Sequence, residues 1–352
     1  MNHYMYGVYA YIHYMYGFTN MILFYIINSI ELSMLFTDCW RPGRVNPDLF
    51  YYNLGVFMEL KQPLSFDQQI EMLISHNMII SNYEDAKKIL ETINYYRFTG
   101  YALEFRKSIS DSDYLDNTYF HKILEIYNFD EKLRILLLEY LLKIEIYYRT
   151  QISNGFSLLK CNITPHNQHY NFRNYYNTNG IQKVFESIDR EIYYHRDSDI
   201  VRHHNDRYNK QMPLWVLVEL ISFSNLSKFY SALYYDDQIY IAKKVGHNSN
   251  NLSNWLHCLS VLRNVCAHGG RLYNKKFNPP TRLTRSFLRN NPDVINDTLF
   301  AYIITIKRML PLENDKTKFV SELINLISDY KDSINLDKIG FTQNYIEILN
   351  RV

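Results

Sequence analysis

Residues 130–159 read DEKLRILLLEYLLKIEIYYRTQISNGFSLL, and this stretch decides the fold class. Its apolar side chains recur at intervals of three and four residues, which is the spacing of one face of an α-helix. The stretch therefore predicts one long helix over residues 130–159. The residues of its apolar stripe are Leu133, Leu136, Leu137, Tyr140, Leu141 and Ile144.

The chain from Met58 onward shows helical spacing in several further segments. Two of them open with side chains that suit a capping box, one beginning at Ser65 and the other at Ser81. Pro213 suits a first helical turn. Because no segment alternates convincingly between apolar and polar residues, we predict an all-α fold. The further predicted helices cover residues 68–76, 81–96, 181–192, 214–233, 252–268, 294–309 and 318–332.

The composition allows a sizeable hydrophobic core, and the overall charge does not indicate any class of binding partner. An apolar fraction of 47% in 352 residues excludes a wholly disordered chain. The formal net charge is +2, so any signal for nucleic-acid binding has to be local. The four cysteines form no CxxC pair, which argues against a disulfide framework. Reduced thiols fit a cytoplasmic protein, and we expect that location.

The first 57 residues differ in composition from the rest. Among the first 40, the Asp, Glu, Lys and Arg side chains are Glu31 and Asp38 alone. The apolar run Met21 to Ile27 is short, since a membrane helix needs about 20 apolar residues. Three interpretations stay open: a membrane or interfacial anchor, a helix packed on the body, or an untranslated extension before a start at Met58, which we favour. The predicted units are residues 1–57, an atypical extension, 58–335, an all-α body, and 336–352, a C-terminal tail.

The predicted helix over residues 252–268 carries an arginine on its apolar stripe. Arg263 lies about 20° from Leu252 around the helix axis. A buried guanidinium is costly unless a partner compensates its charge. Two interpretations stay open: pairing with a buried carboxylate such as Glu145 or Glu219, or presentation to an anionic ligand or across a subunit interface. The apolar stripe consists of Leu252, Trp255, Leu256, Leu259, Leu262 and Cys266.

The end of this helix and the segment after it concentrate groups that suit RNA chemistry. His268 precedes two glycines at the helix C-terminus, where partial negative charge favours the imidazolium form, and imidazole suits general acid–base catalysis. Residues 261–292 contain no Asp or Glu. Such a basic strip attracts phosphates and stacks bases when aromatic rings are interleaved; a solvated basic tail is the alternative. Its cations are Arg263, Arg271, Lys275, Lys276, Arg282, Arg285 and Arg289.

Four blocks of the sequence resemble a known family. Residues 263–268, RNVCAH, resemble the R-x4–6-H motif of HEPN-superfamily ribonucleases. Residues 262–274 around them resemble Abi-like abortive-infection proteins of the AbiD/AbiF type. Residues 94–101, NYYRFTGY, 143–150, KIEIYYRT, and 213–223, PLWVLVELISF, are similar to three further blocks of that family in the family order. Together the resemblance covers about residues 60–330, which is most of the chain.

The resemblance implies a HEPN-like helical bundle with additional N-terminal and C-terminal helices. It also implies a metal-independent endoribonuclease of anti-phage defence that uses no cofactor and no metal. In that activity His268 would act as base or acid, Arg263 would hold the phosphate, and Asn264 would bind substrate or orient His268. Two positions depart from the family pattern, since Ser224 replaces a usual glycine and Gly269 follows the histidine.

The same resemblance implies a homodimer, because this chain has one full motif and the family places two around a two-fold axis. An ideal helix separates Arg263 and His268 by about 140° around its axis, which also favours combining sites across a dimer. Glu145 and Arg149 are expected to support the Arg263 site. An antitoxin or a regulatory RNA would be a further partner. The residues expected to contact RNA are Arg271, Lys275, Lys276, Arg282, Tyr273 and Asn274.

Two other function classes stay open. A non-catalytic RNA- or nucleotide-binding module would keep the basic strip and lack cleavage. A membrane-associated toxin would act through residues 1–57 instead of the body. RNA cleavage that depends on His268 distinguishes the endoribonuclease from both alternatives.

Overall fold

The computed structural model describes residues 62–108, 111–161 and 166–352, and the expectations on residues 1–57 lie outside these ranges. The described chain is all-α, as the helical spacing predicts. It forms fourteen α-helices over these ranges. The helices are α1 (Phe66–Ser75), α2 (Tyr83–Thr92), α3 (Tyr95–Tyr101), α4 (Phe120–Lys160), α5 (Thr178–Tyr194), α6 (Asp199–Arg207), α7 (Leu214–Leu217), α8 (Phe223–Ala232), α9 (Tyr235–Lys244), α10 (Ser249–Ala267), α11 (Arg285–Asn290), α12 (Leu299–Met309), α13 (Glu313–Asp329) and α14 (Tyr345–Arg351).

The long helix α4 is the centre of the fold. Helices α7, α9, α10 and α13 all pack against it. It begins at Phe120, ten residues before the predicted start, because its first turns also bury apolar side chains such as Ile123 and Ile126. Within the predicted stripe, Leu136 is the one residue that is only partly buried. The fully buried stripe residues are Leu133, Leu137, Tyr140, Leu141 and Ile144.

Helix α10 packs against α4, α8, α9 and α12. Its apolar stripe is buried as the spacing predicts, with Leu252, Leu256, Leu259 and Leu262 fully inaccessible to solvent. Burial of four leucines stabilises the packed helix by about 2 kcal/mol for each side chain before the entropic cost of ordering them. The opposite face of α10 carries polar residues, and it belongs to the site described below.

The predicted helix over residues 214–233 is two helices. Helix α7 ends at Leu217, and Ser222 caps α8 by accepting a hydrogen bond from the Asn225 amide. Pro213 lies at the N-cap position, outside the first turn. The apolar spacing continues across the break, so periodicity alone does not reveal it. Helices α6, α9, α11 and α14 lie in segments for which the sequence predicts no helix.

The cap of α1 is the predicted capping box. The Ser65 hydroxyl accepts from the Gln68 amide, and the Gln68 side chain accepts from the Ser65 amide. The predicted cap of α2 is wrong by one residue, because Asn82 and not Ser81 accepts the first-turn amide hydrogen bond. Helix α2 ends at Thr92, so α3 is a separate helix. A parallel pair of two-residue strands, β1 (Met78–Ile79) and β2 (Thr118–Tyr119), adds a minor sheet.

The last seventeen residues pack on the helical body. A short 3₁₀ turn over Leu336–Ile339 leads into α14, which packs against α13. The Phe341 ring lies 4.6 Å from the Phe300 ring between centroids, and Leu349 is fully buried. Within the described ranges, none of the helices is both long enough and apolar enough to span a membrane.

Candidate functional site

The end of α10 forms a tight helix stop immediately after His268. Gly269 adopts a left-handed backbone with φ of +64°, which side-chain-bearing residues rarely adopt. The Gly270 amide donates to the Val265 carbonyl at 2.8 Å, and the Gly269 amide donates to the Cys266 carbonyl at 3.2 Å. These two bonds are the Schellman pattern. The predicted stop at the two glycines is confirmed, and His268 is the exposed C-cap residue.

Arg263 is paired with the buried carboxylate of Glu145 on α4. The Arg263 Nε lies 3.1 Å from the Glu145 Oε2. Arg149 contacts the other oxygen through Nη2 at 2.6 Å, and the same nitrogen donates to the Ile221 carbonyl at 2.8 Å. The Glu145 side chain is only 2% exposed, so the two cations compensate its desolvation. The sequence suggested Glu145 or Glu219 as the partner of Arg263. The structure shows that Glu145 is the partner, whereas Glu219 is exposed.

Asn264 links this cluster to α8. Its Nδ2 donates to the Ser224 hydroxyl at 3.3 Å, and its Oδ1 lies 3.5 Å from an Arg263 Nη1. The Asn264 side chain therefore contacts Arg263 and Ser224. These contacts favour a role beside Arg263 rather than as an orienting group for His268.

Helix α3 holds the turn that follows α10. The Arg97 guanidinium donates to the Gly269 carbonyl at 2.6 Å, and the Arg271 guanidinium donates to the Gly100 carbonyl. Residues 94–101, one of the blocks that resemble the family, thus contact the end of the helix that carries the R-x4-H motif. These contacts connect the two blocks in space although they are far apart in sequence.

A buried carboxylate that the sequence reasoning missed anchors the loop after the motif. Asp130 is fully buried in α4 and accepts from the Tyr273 amide at 2.7 Å and the Leu272 amide at 3.2 Å. It also accepts from the Tyr101 hydroxyl at 2.7 Å and from Arg134 at 2.5 Å. Burial raises the pKa of Asp130 and the four donors oppose that shift. The sequence does carry a signal for this buried pair, because Asp130 and Arg134 are four residues apart on an apolar face of the predicted helix.

The other residues expected to contact RNA divide into exposed and buried groups. Asn274, Lys275 and Arg282 are exposed, and so is Lys276, whose ammonium lies 3.3 Å from Asp297. Tyr273 is 1% exposed, so its ring offers no free face on which a base could stack. Its hydroxyl instead accepts a hydrogen bond from the Asn335 amide at 2.9 Å. Over the described ranges, no group of three or more His, Cys, Asp or Glu side chains could hold a metal ion.

Comparison with models of protein families gives a match. A family model described as Abi-like protein matches residues 88–274, slightly more than half of the chain. The matched range contains the Glu145, Arg149 and Arg263 cluster, His268 and the Asp130 anchor. No curated protein and no solved structure matches the chain with significant similarity.

Proposed function

The chain belongs to the Abi-like protein family, and on that premise we propose that it is a metal-independent endoribonuclease of abortive-infection defence. The family suggests the defence role. The observation that carries the ribonuclease proposal is the end of α10, where Glu145 holds Arg263 in place, His268 is exposed, and the segment that follows carries the exposed cations Lys275 and Lys276. That combination supplies phosphate attraction, charge stabilisation and a proton-transfer group in one region.

The proposed reaction is an internal transesterification of RNA. The 2′-oxygen attacks the adjacent phosphorus, a 2′-O–P bond forms and the P–O5′ bond breaks. His268 takes the proton of the 2′-hydroxyl, and the departing 5′-oxygen takes a proton from solvent water, to which the imidazolium returns its own. Arg263 stabilises the charge that develops on the phosphoryl oxygens. The products are a 2′,3′-cyclic phosphate and a 5′-hydroxyl, so no net proton, electron or water is consumed.

A homodimer would complete this site. Arg263 and His268 leave α10 about 140° apart, and Glu145 holds Arg263 on the α4 side. A second copy could bring its own His268 to Arg263. The exposed face of α4 next to the ion cluster carries an apolar stripe that suits a second copy. Its residues are Ile135, Leu142 and Ile146, whose exposed fractions are 66%, 41% and 61%.

Cleavage of total RNA by the purified full chain in EDTA tests the proposal. We expect the wild type to leave cyclic phosphate ends and His268→Ala to abolish cleavage. His195→Ala is the matched control, because His195 is also an exposed imidazole at a helix C-cap. Arg263→Lys keeps a cation beside Glu145 and should lower the rate by about 100-fold, since one fixed donor is worth about that much. A His268→Ala protein that cuts at the wild-type rate would refute the assignment.

One observation favours the non-catalytic alternative. Because Arg263 is paired with Glu145 at 3.1 Å, its guanidinium is already compensated and could be purely structural. A non-catalytic RNA- or nucleotide-binding module would then use the exposed cations for binding alone. In the same assay that module would bind RNA and leave its length unchanged, with or without His268.

A further inference from the structure

An open cavity of about 850 Å³ lies between α8, α9 and the first half of α10, outside the motif site. Three tyrosines on its border are exposed, the most accessible being Tyr176 at 80%. Two cations and one imidazole also face it. The cavity-lining residues on which the argument rests are Tyr176, Tyr234, Tyr235, Lys228, His257 and Arg282.

The floor of this cavity is the same helix face that ends at His268. Asn250 and His257 line the cavity, and on an ideal helix they lie within about 20° of the direction of His268. Eleven residues separate His257 from His268, which is about 16 Å along the axis. This face of α10 therefore runs from the cavity to the proposed reactive imidazole, with the partly buried Val261 and Asn264 between them.

Helix α8 forms one wall beside this face. At the motif end, the Ser224 hydroxyl accepts from Asn264 at 3.3 Å, and at the cavity end Lys228 and Ser231 line the opening. Helix α8 thus lies along α10 over the whole distance between the motif and the cavity. Lys228 is exposed on that wall.

The segment before α11 forms the opposite wall. Asn254 donates to the Pro280 carbonyl at 3.1 Å and accepts from the Arg282 amide at 2.6 Å. The Trp255 indole donates to the Arg282 carbonyl at 2.8 Å. The backbone of Arg282 is therefore fixed against α10, while its guanidinium is exposed. A cation stands on each wall, with the α10 face between them.

The chemistry of the cavity suits a single-stranded nucleic acid. Exposed tyrosines stack bases of any sequence, and cations on both sides attract a phosphate backbone. Asp236 is the one carboxylate among the described residues that line the cavity. Because Lys228 and Arg282 also line it, the lining carries an excess of positive charge. Burial and the nearby Lys228 lower the pKa of His257, which leaves a neutral imidazole able to stack or hydrogen-bond. Among the described residues that line the opening, Leu233 is the one aliphatic side chain, so an aliphatic protein segment would find little to pack against.

We propose that the groove between α8 and the 280–282 segment binds single-stranded RNA and directs it along α10 to His268. This inference rests on the proposed function and extends it to the form of the substrate. At about 3.4 Å for each stacked nucleotide, the 16 Å from cavity to motif accommodates about five nucleotides. A stacked RNA strand shorter than that does not reach from the cavity to the motif.

Binding of labelled oligoribonucleotides to the full chain carrying His268→Ala tests the groove. We call this His268→Ala protein the parent. We expect its affinity for RNA to rise steeply as the RNA length increases from about 3 to about 10 nucleotides, because the longer RNA reaches both the cavity and the motif. Adding Lys228→Ala and Arg282→Ala should lower affinity for the longer RNA by about tenfold and remove most of the gain with length. The slope of log affinity against log salt should fall by about 1.4, which is two phosphate contacts to a single strand. Tyr176→Ala should weaken binding without changing that slope.

The control replaces the exposed Lys183 and Lys331 by alanine, because neither lines the cavity. If the Lys228 and Arg282 variant binds the longer RNA like the control, the groove is not the RNA path, even when the wild type cleaves RNA. If binding depends on these two cations and the wild type does not cleave, the groove stands and the ribonuclease proposal fails. A parent protein that binds neither length refutes both.

Discussion

Glu145 holds Arg263 across the interface between α4 and α10, with 3.1 Å between Oε2 and Nε. Glu145→Gln keeps the shape and removes the charge that both Arg263 and Arg149 compensate. Because the carboxylate is 2% exposed, the variant leaves two partly buried guanidinium groups without a counter-ion. We expect the free energy of unfolding to fall by about 3 kcal/mol, as measured by urea denaturation.

Glu139→Gln is the matched control on the same helix. The Glu139 side chain is 49% exposed, and its oxygen lies 3.7 Å from both Lys143 and Lys318. Exposed ion pairs contribute little, so this variant should lose less than about 1 kcal/mol. Equal losses in the two variants would mean that burial of the Glu145 cluster adds nothing to stability.

Asp130 is expected to position the loop that follows the motif. Asp130→Asn removes the charge that balances Arg134 and places an amide donor where four donors converge. We expect a loss of about 3 kcal/mol in the free energy of unfolding. The amides of Leu272 and Tyr273 should also exchange with solvent hydrogen faster, because they donate to this carboxylate.

The neighbouring Glu131 provides the control for this prediction. Glu131 is exposed on α4, so Glu131→Gln changes the same charge without removing a buried acceptor. Its stability and the exchange of the Leu272 and Tyr273 amides should match the wild type. Unchanged amide exchange in Asp130→Asn would contradict the anchoring role.

The helices that the sequence predicts well are those in which local spacing and burial agree. The stripe of α10 and the stop at Gly269 are confirmed, because the apolar periodicity and the glycine conformation are local properties. The break at Ser222 was missed because the residues around it are apolar on both sides. A side-chain cap, and not the apolar pattern, starts α8 there.

The site could be predicted only in part, because its contacts join residues that are far apart in the sequence. Glu145 was one of two suggested partners for Arg263, and the choice required the packing of α4 on α10. Tyr273 belongs to a basic segment by sequence, yet the Asp130 anchor and Asn335 hold it in the core. Likewise Lys276 lies in a stretch without acidic residues and pairs with Asp297, which follows that stretch.

The buried His169 makes stability depend on pH. Burial lowers its pKa from an ordinary 6.5 to about 4, so the unfolded chain binds a proton more readily than the folded one between these values. Stability from this group is therefore present above pH 6.5 and is lost as pH falls towards 4. We expect the full loss to be about 3 kcal/mol, measured by denaturation at several pH values.

His169→Gln should flatten the stability profile between pH 7 and 4, whatever its effect at neutral pH. His195→Gln, at an exposed position, should keep the wild-type profile. If the His169 variant loses stability with acid as steeply as the wild type, another group controls the acid transition.

The apolar stripe on α4 is expected to mediate self-association. Ile146→Glu places a carboxylate in this stripe and should convert the proposed dimer to a monomer in sedimentation velocity. Leu158→Glu is the control, because Leu158 is similarly exposed, at 57%, and lies about 140° from the stripe around the same helix. Dimers that persist in the Ile146 variant, or that dissociate equally in both, would exclude this face.

A site shared between two copies makes a sharper prediction for mixed dimers. Arg263→Ala and His268→Ala should each be inactive alone. If Arg263 of one copy acts with His268 of the other, a dimer formed from both variants has one intact site and one site lacking both groups. Random mixing should then restore about a quarter of wild-type cleavage, since half of the dimers are mixed and each carries one of two sites. A site formed within one chain gives no recovery at any mixing ratio, and that result would place Arg263 and His268 in the same subunit's reaction despite their separation around α10.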